Sequence, residues 1–220
     1  MNVLANRVSG YTGEVSVNGK RVGTNFTRLM GYVTQDAPFF DTLTVRETLM
    51  FAARLRLPSS VSRAQKTARV DALIAELDLK GCAHTRIGKA TEAGGISGGE
   101  RRRLTLAMEM LFDPYLLFCD EVTSGLDSAS ALRIVQILRG LAHDQNRTVV
   151  CTIHQPRASV LAQFDNLLLL AGGRVVYFGP TWTEGRADGM LAYFAHLGFP
   201  FRAYENPADE LLDLVNTDTP

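Results

Sequence analysis

Residues 44–112 carry the hydrophobic pattern of helices. Apolar residues recur there three and four positions apart, which places them on one face of a helix. These positions include Val70, Leu73, Ile74 and Leu77. The pattern predicts helices over 44–57, 62–77 and 97–112. Pro58 separates the first two, and Asp113 with Pro114 ends the third, because a residue before proline disfavours the helical conformation.

Beyond Pro114 the pattern changes to strand, helix, strand. Residues 115–119 and 148–153 are mainly apolar runs, as expected of strands that are buried on both faces. Residues 128–141 between them have an amphipathic helical pattern. Alternating strands and helices favour a parallel sheet with right-handed crossovers.

Shorter patterns complete the predicted fold. The remaining elements are a short helix at 2–6, strands at 13–18 and 28–34, a loop at 81–95, a hairpin of 167–170 and 175–178, and helices at 183–197 and 207–215. Asn18-Gly19 is a hairpin turn signal after the first of these strands. We therefore expect an α/β fold with a mainly parallel sheet, a helical subdomain at about 44–112 inserted into it, and a C-terminal part of β-hairpin and helices.

Composition narrows the functional classes. The chain has 220 residues, of which 46% are hydrophobic and 21% charged, so it is neither disordered nor collagen-like. Because 23 Lys and Arg balance 23 Asp and Glu, no excess of positive charge draws it to nucleic acid. No run of about 18 apolar residues predicts a membrane span. Cys82, Cys119 and Cys151 lie far apart and are expected to be reduced thiols rather than a disulfide or a metal site.

Two acidic residues follow the first buried strand. Residues 116–121 read LLFCDE, and ligands of parallel sheets bind beyond the carboxyl ends of the strands. Because successive strand residues point to opposite sides, Asp120 and Glu121 are expected to act differently. One could hold Mg²⁺, and the other could activate a water as a general base. The structural alternative is a strand end with two solvated carboxylates.

A second motif opens the third helix. Residues 96–100 read ISGGE, in which Ser97 and Glu100 have the spacing of a capping box. The two glycines let a ligand approach the backbone, and the free N–H groups of a helix N-terminus bind anions such as phosphate. An ordinary helix cap is the structural alternative. The arginines at 101–103 are interpreted as a solvated face.

Three further positions carry weaker signals. His154 follows the second buried strand and is predicted at the same sheet edge as the two acids, although a lone histidine is more often structural. Gln35 ends an early strand, where its amide oxygen could face a metal, and has little meaning by itself. Residues 124–127 form a tight turn, for which a helix N-cap at Asp127 or Ser128 is an adequate explanation.

The order and spacing of these motifs resemble the nucleotide-binding domain of ATP-binding-cassette (ABC) proteins over essentially the whole chain. Gln35 resembles the Q-loop, residues 96–100 the signature, 116–121 the Walker B strand, 124–127 the D-loop and His154 the switch histidine. The resemblance implies a P-loop NTPase-like core formed by residues 1–220, with ATP and Mg²⁺ as cofactors.

The resemblance also implies roles for individual residues. Glu121 would be the general base toward water, and His154 would act on the γ-phosphate, so both would be catalytic. Mg²⁺ would lie near Asp120 and Gln35. The nucleotide would be bound by Gln35, Ser97, Gly98, Gly99, Glu100 and Asp127.

Several segments narrow the resemblance to the G subfamily, the white and pleiotropic-drug-resistance type. They are YTGEVSVNG at 11–19, GYVTQD at 31–36, TVRETL at 44–49, SGGERRR at 97–103 and NPAD at 206–209. In this subfamily the cassette precedes the membrane domain. Two departures are expected to be mild: Val122 stands where proline usually follows the Walker B acids, and the signature begins with Ile96.

No segment matches the phosphate-binding loop G-x-x-x-x-G-K-[ST], known as Walker A. The Gly-Lys pairs at 19–20 and 88–89 are not followed by Ser or Thr. Residues 2–7 resemble the helix that follows the loop, so the sequence is expected to begin just after it. Two explanations stay open: a fragment or misassigned start, and a degenerate cassette.

The resemblance implies an ATP-binding and ATP-hydrolysing module that powers a G-type transporter. It would lie on the cytoplasmic face of a membrane and pair with a second cassette and a transmembrane domain, not with nucleic acid. The alternative is an inactive cassette that dimerises with an intact partner and regulates it. Non-transport cassette ATPases are disfavoured, because the interval between Gln35 and Ser97 leaves no room for a coiled-coil insertion. The sequence does not indicate which substrate is transported, in which direction or across which membrane, or whether the dimer consists of identical or different chains.

We expect residues 1–220 alone to bind ATP weakly and to show no ATPase activity above background. The missing loop would supply a backbone cradle and a lysine for the β- and γ-phosphates. Each charge-assisted contact contributes about 1.5–3 kcal/mol, so losing several weakens binding by orders of magnitude. Calorimetric ATP titration and Mg²⁺-dependent phosphate release measure this. Tight binding with robust hydrolysis would contradict it.

Overall fold

The computed structural model describes residues 1–23, 26, 29–35, 37–88, 94–181, 189–202 and 205–215. The chain divides into two compact units, Met1–Ile153 and His154–Pro220. Parts of the predicted strand at 28–34, loop at 81–95 and helix at 183–197 lie outside the described residues.

The first unit combines a short antiparallel ribbon, a parallel sheet and a group of helices. Its strands are β1 (Ser16–Val17), β2 (Lys20–Arg21), β3 (Met30–Val33), β4 (Leu116–Cys119) and β5 (Thr148–Cys151). Its helices are α1 (Val45–Arg56), α2 (Arg63–Glu76), α3 (Gly98–Met110) and α4 (Ser128–His143). A single turn of 3₁₀ helix covers Lys80–Cys82, within the predicted loop.

The parallel sheet has the order β3–β4–β5, with β4 in the centre. The last residues of the three strands, Val33, Cys119 and Cys151, are partners in register. The strands therefore end at one edge of the sheet, and the predicted α/β fold with a parallel sheet is confirmed. Leu117, in the middle of β4, is completely buried, as its apolar run predicts.

The helices of the first unit begin at the residues that the sequence indicates. The capping boxes pair Thr44 with Glu47, Ser62 with Gln65, and Ser97 with Glu100. In each box the N-cap hydroxyl accepts the N–H of the third residue, whose side chain in turn accepts the N-cap N–H. The apolar faces of α1, α2 and α3 share one core, formed in part by Leu49, Leu73, Leu77, Leu104 and Leu106.

The N-terminal segment differs from the prediction. Residues 2–6 form hydrogen-bonded turns rather than a helix. Asn6 has a left-handed backbone with φ 51°, and the N–H of Arg7 bonds the carbonyl of Asn2, which closes the turn. The predicted strand at 13–18 shortens to Ser16–Val17.

The second unit has its own small core. Strands β6 (Asn166–Ala171) and β7 (Arg174–Pro180) form the predicted antiparallel hairpin, turning at Gly172 and Gly173, which both have positive φ. Its helices are α5 (Ala158–Leu161), which the sequence did not predict, α6 (Met190–His196) and α7 (Pro207–Val215). The core side chains are Leu161, Leu169, Tyr177, Met190, Phe194, Ala208 and Leu211.

Two findings bear on the composition-based expectations. The three cysteines are free thiols. Among the helices that the structure describes, none has both the length and the apolar character needed to cross a membrane.

Asp113 stabilises the connection between α3 and β4. Its backbone is left-handed, with φ 58°, as required for the sharp turn before Pro114. Its Oδ1 accepts hydrogen bonds from Arg147 and from Arg69, the latter at 3.1 Å. The Arg147 bond is the main reason that the pKa of Asp113 lies below its usual value. The ionised carboxylate thus stabilises the chain just before the central strand.

We expect Asp113→Asn to lower the free energy of unfolding by up to about 1 kcal/mol at about pH 7, since the carboxylate is exposed and screened by solvent. The folded pKa of Asp113 is depressed, so its contribution is present above the unfolded pKa of about 4 and is lost as the pH falls through the folded value. Urea unfolding of both proteins at about pH 7 and about pH 3 measures the difference. A loss of equal size at both pH values would contradict this explanation.

Candidate functional site

The two predicted acids lie at the edge where the parallel strands end. Asp120 follows the last residue of β4, and its N–H donates to the carbonyl of Val33 at the end of β3. On the other side, the N–H of Thr152 donates to the carbonyl of Cys119. The sheet hydrogen bonding thus continues one residue past the strands and fixes the backbone from which both acids project.

Asp120 accepts a hydroxyl on each carboxylate oxygen. Thr152 donates to Oδ1 at 2.7 Å, and Tyr32 donates to Oδ2 at 2.8 Å. The Thr152 bond is the main reason that the pKa of Asp120 is lowered, and the Tyr32 bond adds to the effect. Burial and the same carboxylate raise the pKa of Tyr32 to about 12. The guanidinium of Arg7 lies 4.1 Å from the centre of the Tyr32 ring, in a cation–π contact.

Glu121 has different surroundings. Its Oε2 accepts a hydrogen bond of 2.8 Å from Nε2 of Gln35. Its backbone is left-handed, with φ 46°. Its N–H donates to Oγ1 of Thr152 at 2.9 Å, and its carbonyl accepts from the N–H of Ser124 at 3.0 Å. The carboxylates of the two neighbouring acids are therefore held by different partners.

Gln35 is brought to Glu121 by the pairing of β3 with β4. Because its amide nitrogen donates to Glu121, the predicted metal contact of Gln35 would fall to its amide oxygen. Mg²⁺ prefers oxygen ligands and completes its shell with water and phosphates. Asp120, which is ionised and has lone pairs left on both oxygens, and Gln35 fit such an ion. Within the described part of the chain, no group of three or more His, Cys, Asp or Glu is arranged to hold a metal.

The predicted anion site is the N-terminus of α3. Ser97 is the N-cap, and the N–H groups of Gly98 and Gly99 lie in the first turn, where helical hydrogen bonds have no partner. The Ser97 hydroxyl donates to Oε2 of Glu100 at 2.8 Å. Burial opposes ionisation of Glu100, but the bonds from Ser97 outweigh it and lower its pKa. The capping box is confirmed, and the glycine N–H groups are the remaining backbone donors of the first turn.

Gly99 also has a structural reason to lack a side chain. A Cβ atom at this position would come 3.0 Å from Oγ of Ser130, near the start of α4. A Cβ at Gly98 would meet only Cδ2 of Leu126, at 3.6 Å, which is an ordinary contact. The two glycines therefore differ: Gly99 lets α3 and α4 approach each other, whereas Gly98 faces solvent.

Asp127 and His154, the two remaining predicted site residues, lie in different structural environments. Asp127 is the N-cap of α4, and its Oδ1 accepts the N–H groups of Ala129 and Ser130 at 3.0 and 3.1 Å. The bond with the Ser130 side chain is the first cause of the lowered pKa of Asp127. His154 is exposed and is the first residue of the second unit, so its predicted place beside the two acids stays a prediction.

The interpretation of residues 101–103 as a solvated face is wrong for Arg102. Its side chain is buried, and its guanidinium donates to the carbonyls of Thr34, Gln35 and Glu121. The signal was present in the helical periodicity, because Arg102 lies four residues before buried Leu106. Tyr32 and Thr152 were also missed. They are polar residues at strand ends, and only the strand register reveals what they face.

Comparison with known proteins identifies relatives of this chain. The model of the ABC transporter family matches residues 1–124. The chain is 45% identical over 221 residues to ABC transporter G family member 11 of Arabidopsis thaliana, which covers 99% of this chain and 30% of that protein. It is 42% identical over 221 residues to the broad substrate specificity ATP-binding cassette transporter ABCG2 of Sus scrofa, covering 100% of this chain and 32% of that protein.

A third relative is ABC transporter G family member 1 of Dictyostelium discoideum, 42% identical over 220 residues, covering 99% of this chain and 27% of that protein. The chain thus spans between 27% and 32% of the length of these relatives. The match to the family model covers more than half of the chain, and it includes Gln35, the 96–100 segment and both acids. The chain therefore belongs to the ABC transporter family, and it is similar along nearly its whole length to members of the G family.

Proposed function

We propose that this chain is the nucleotide-binding cassette of a G-type transporter, and that it binds and hydrolyses ATP to drive transport across a membrane. The observation that carries the proposal is the group of Gln35, Asp120 and Glu121 at the edge where β3 and β4 end. A hydrolytic site needs an oriented base and a separate carboxylate for a cation. The two acids have the distinct partners that such a division of roles requires.

Glu121 is the proposed general base. Gln35 holds Oε2 of its carboxylate, which leaves Oε1 to accept a proton from an attacking water. Asp120 and the amide oxygen of Gln35 are the proposed ligands of Mg²⁺, which would neutralise charge on the phosphates when bound. His154 is proposed to act on the γ-phosphate. The proposed nucleotide contacts are Gln35, Ser97, Gly98, Gly99, Glu100 and Asp127.

The signature segment is proposed to act on a second cassette. Residues 44–112 would be the helical subdomain of a single nucleotide-binding domain, and they present the N-terminus of α3 with its glycine N–H groups. An anion binds such an end of a helix. We infer that this end contacts a nucleotide held by the partner cassette, and that both cassettes work beneath a transmembrane domain on the cytoplasmic face. The proposed dimer consists of two identical or two different chains.

We expect Glu121→Gln to abolish turnover while ATP stays bound, in a cassette completed upstream with a phosphate-binding loop. Removal of a general base slows the chemical step by about 10²–10⁴-fold. The amide keeps the shape and removes a negative charge near the phosphates, so binding holds or tightens. Steady-state hydrolysis and ATP binding are measured side by side. Glu14→Gln, on an exposed loop, is the matched control, and near-normal hydrolysis by Glu121→Gln would show that the base is elsewhere.

We expect the signature and the base to work across the dimer. Differently tagged chains, each completed upstream with a phosphate-binding loop, allow Ser97→Arg and Glu121→Gln to be placed on the same chain or on different chains of a mixed dimer. With both on one chain, each composite site has one defect, and hydrolysis is lost. With the substitutions on different chains, both defects fall in one site, and about half of the activity remains in the other. The opposite result would mean that each signature serves its own chain.

A further inference from the structure

We propose that Arg102 and Thr152 are positioning residues, which hold the backbone of Glu121 in its left-handed conformation and thereby aim its carboxylate. This role rests on the proposed function of Glu121 as the base. The two side chains come from separate parts of the chain, the helix α3 and the segment after β5. Each one bonds a different end of the Glu121 residue.

The conformation of Glu121 needs such support. Its φ of 46° lies in the left-handed region, where a Cβ atom crowds the backbone. Residues with side chains keep this conformation only where the surrounding contacts fix it. Val122, the next residue, is completely buried and anchors the chain beyond the turn. The direction of the Glu121 side chain therefore depends on what restrains its own N–H and carbonyl.

Thr152 restrains the N–H. Its Oγ1 accepts the Glu121 N–H at 2.9 Å and donates its only proton to Oδ1 of Asp120 at 2.7 Å. One hydroxyl thus sets the backbone of one acid and the carboxylate of the other. A methyl group in its place could do neither, whereas the hydroxyl of serine could do both.

Arg102 restrains the carbonyl. Its Nη2 donates to the Glu121 carbonyl at 3.2 Å, and its Nη1 donates to the carbonyls of Thr34 and Gln35 at 2.8 and 2.6 Å. The residue is only 8% exposed, so the planar guanidinium is held between these groups. It ties the backbones of Gln35 and Glu121 together, and the side chains of the same two residues are hydrogen-bonded at 2.8 Å.

The test compares Arg102→Met and Thr152→Val in the complete transporter. Thr152→Ser keeps the hydroxyl, and Arg133→Met removes an exposed arginine of α4 that pairs with Asp78 and not with the site. We expect Arg102→Met and Thr152→Val each to lower kcat for ATP by about 10- to 100-fold, with KM and ATP affinity changed by less than about 3-fold. Thr152→Ser should restore kcat to within about 3-fold of the parent protein, and Arg133→Met should leave it unchanged.

A double variant tests whether the loss of kcat in Arg102→Met arises from misplacement of the Glu121 carboxylate. Arg102→Met added to Glu121→Gln should cost little beyond Glu121→Gln alone in single-turnover hydrolysis, because both changes disable one carboxylate. Melting temperatures identify a variant that fails to fold. If Arg102→Met is such a variant, Thr152→Val is combined with Glu121→Gln in its place, because Thr152 also bonds Asp120 and only the double variant separates the two acids. Thr152→Ser with Glu121→Gln is the matched control.

Three results would overturn the positioning role. The first is that Thr152→Val and Arg102→Met both keep the kcat of the parent protein while Glu121→Gln is inactive. In that case Glu121 would still be the base, but these two residues would not position it. The second is that Thr152→Val and Arg102→Met raise KM and leave kcat unchanged. The third is a double variant far slower than Glu121→Gln, since Arg102 would then act elsewhere. Near-normal hydrolysis by Glu121→Gln would instead remove the proposed base, and the positioning role with it.

Discussion

Parallel pairing of β4 with a neighbour on each side determines where the side chains of the candidate site lie. The pairing places the ends of β3, β4 and β5 at one edge, so residues distant in sequence meet there. Tyr32 and Gln35 arrive from β3, the two acids from β4, and Thr152 from β5. A slip of one residue in either pairing would move every side chain of a strand to the opposite face.

The same edge explains how adjacent acids acquire different surroundings. Asp120 continues the strand, and it receives hydroxyl groups from the neighbours on both sides. Glu121 leaves the strand through a left-handed turn, so it meets the end of β3 one residue further along, at Gln35. The difference arises from the backbone path and not from the chemistry of the two carboxyl groups. This path is why a single strand end could provide both the proposed cation ligand and the proposed base.

Local signals in the sequence were sufficient for much of the fold. Ser97 and Glu100 predict their capping box because both partners lie within one turn of helix, and the unbroken apolar run before Asp120 predicts a central strand. The segment 2–6 was mispredicted because the left-handed conformation of Asn6 leaves no mark on the apolar pattern. Arg102 was misread for a different reason: charge indicates exposure, but three backbone carbonyls can replace water around a buried guanidinium. Which carbonyls come within reach is set by tertiary structure alone.

The unequal packing of Gly98 and Gly99 has a consequence for how substitutions in this segment are interpreted. A side chain at Gly99 would push against Ser130 and separate two helices, so a defective Gly99 variant would report on helix spacing as well as on the proposed phosphate binding. Gly98 has room for a methyl group beside Leu126, and its first-turn position gives it the same access to an anion. Gly98→Ala therefore tests anion binding at this helix end without changing the helix spacing. A mutational scan that treats the two glycines alike would confuse a change in helix packing with a change in anion binding.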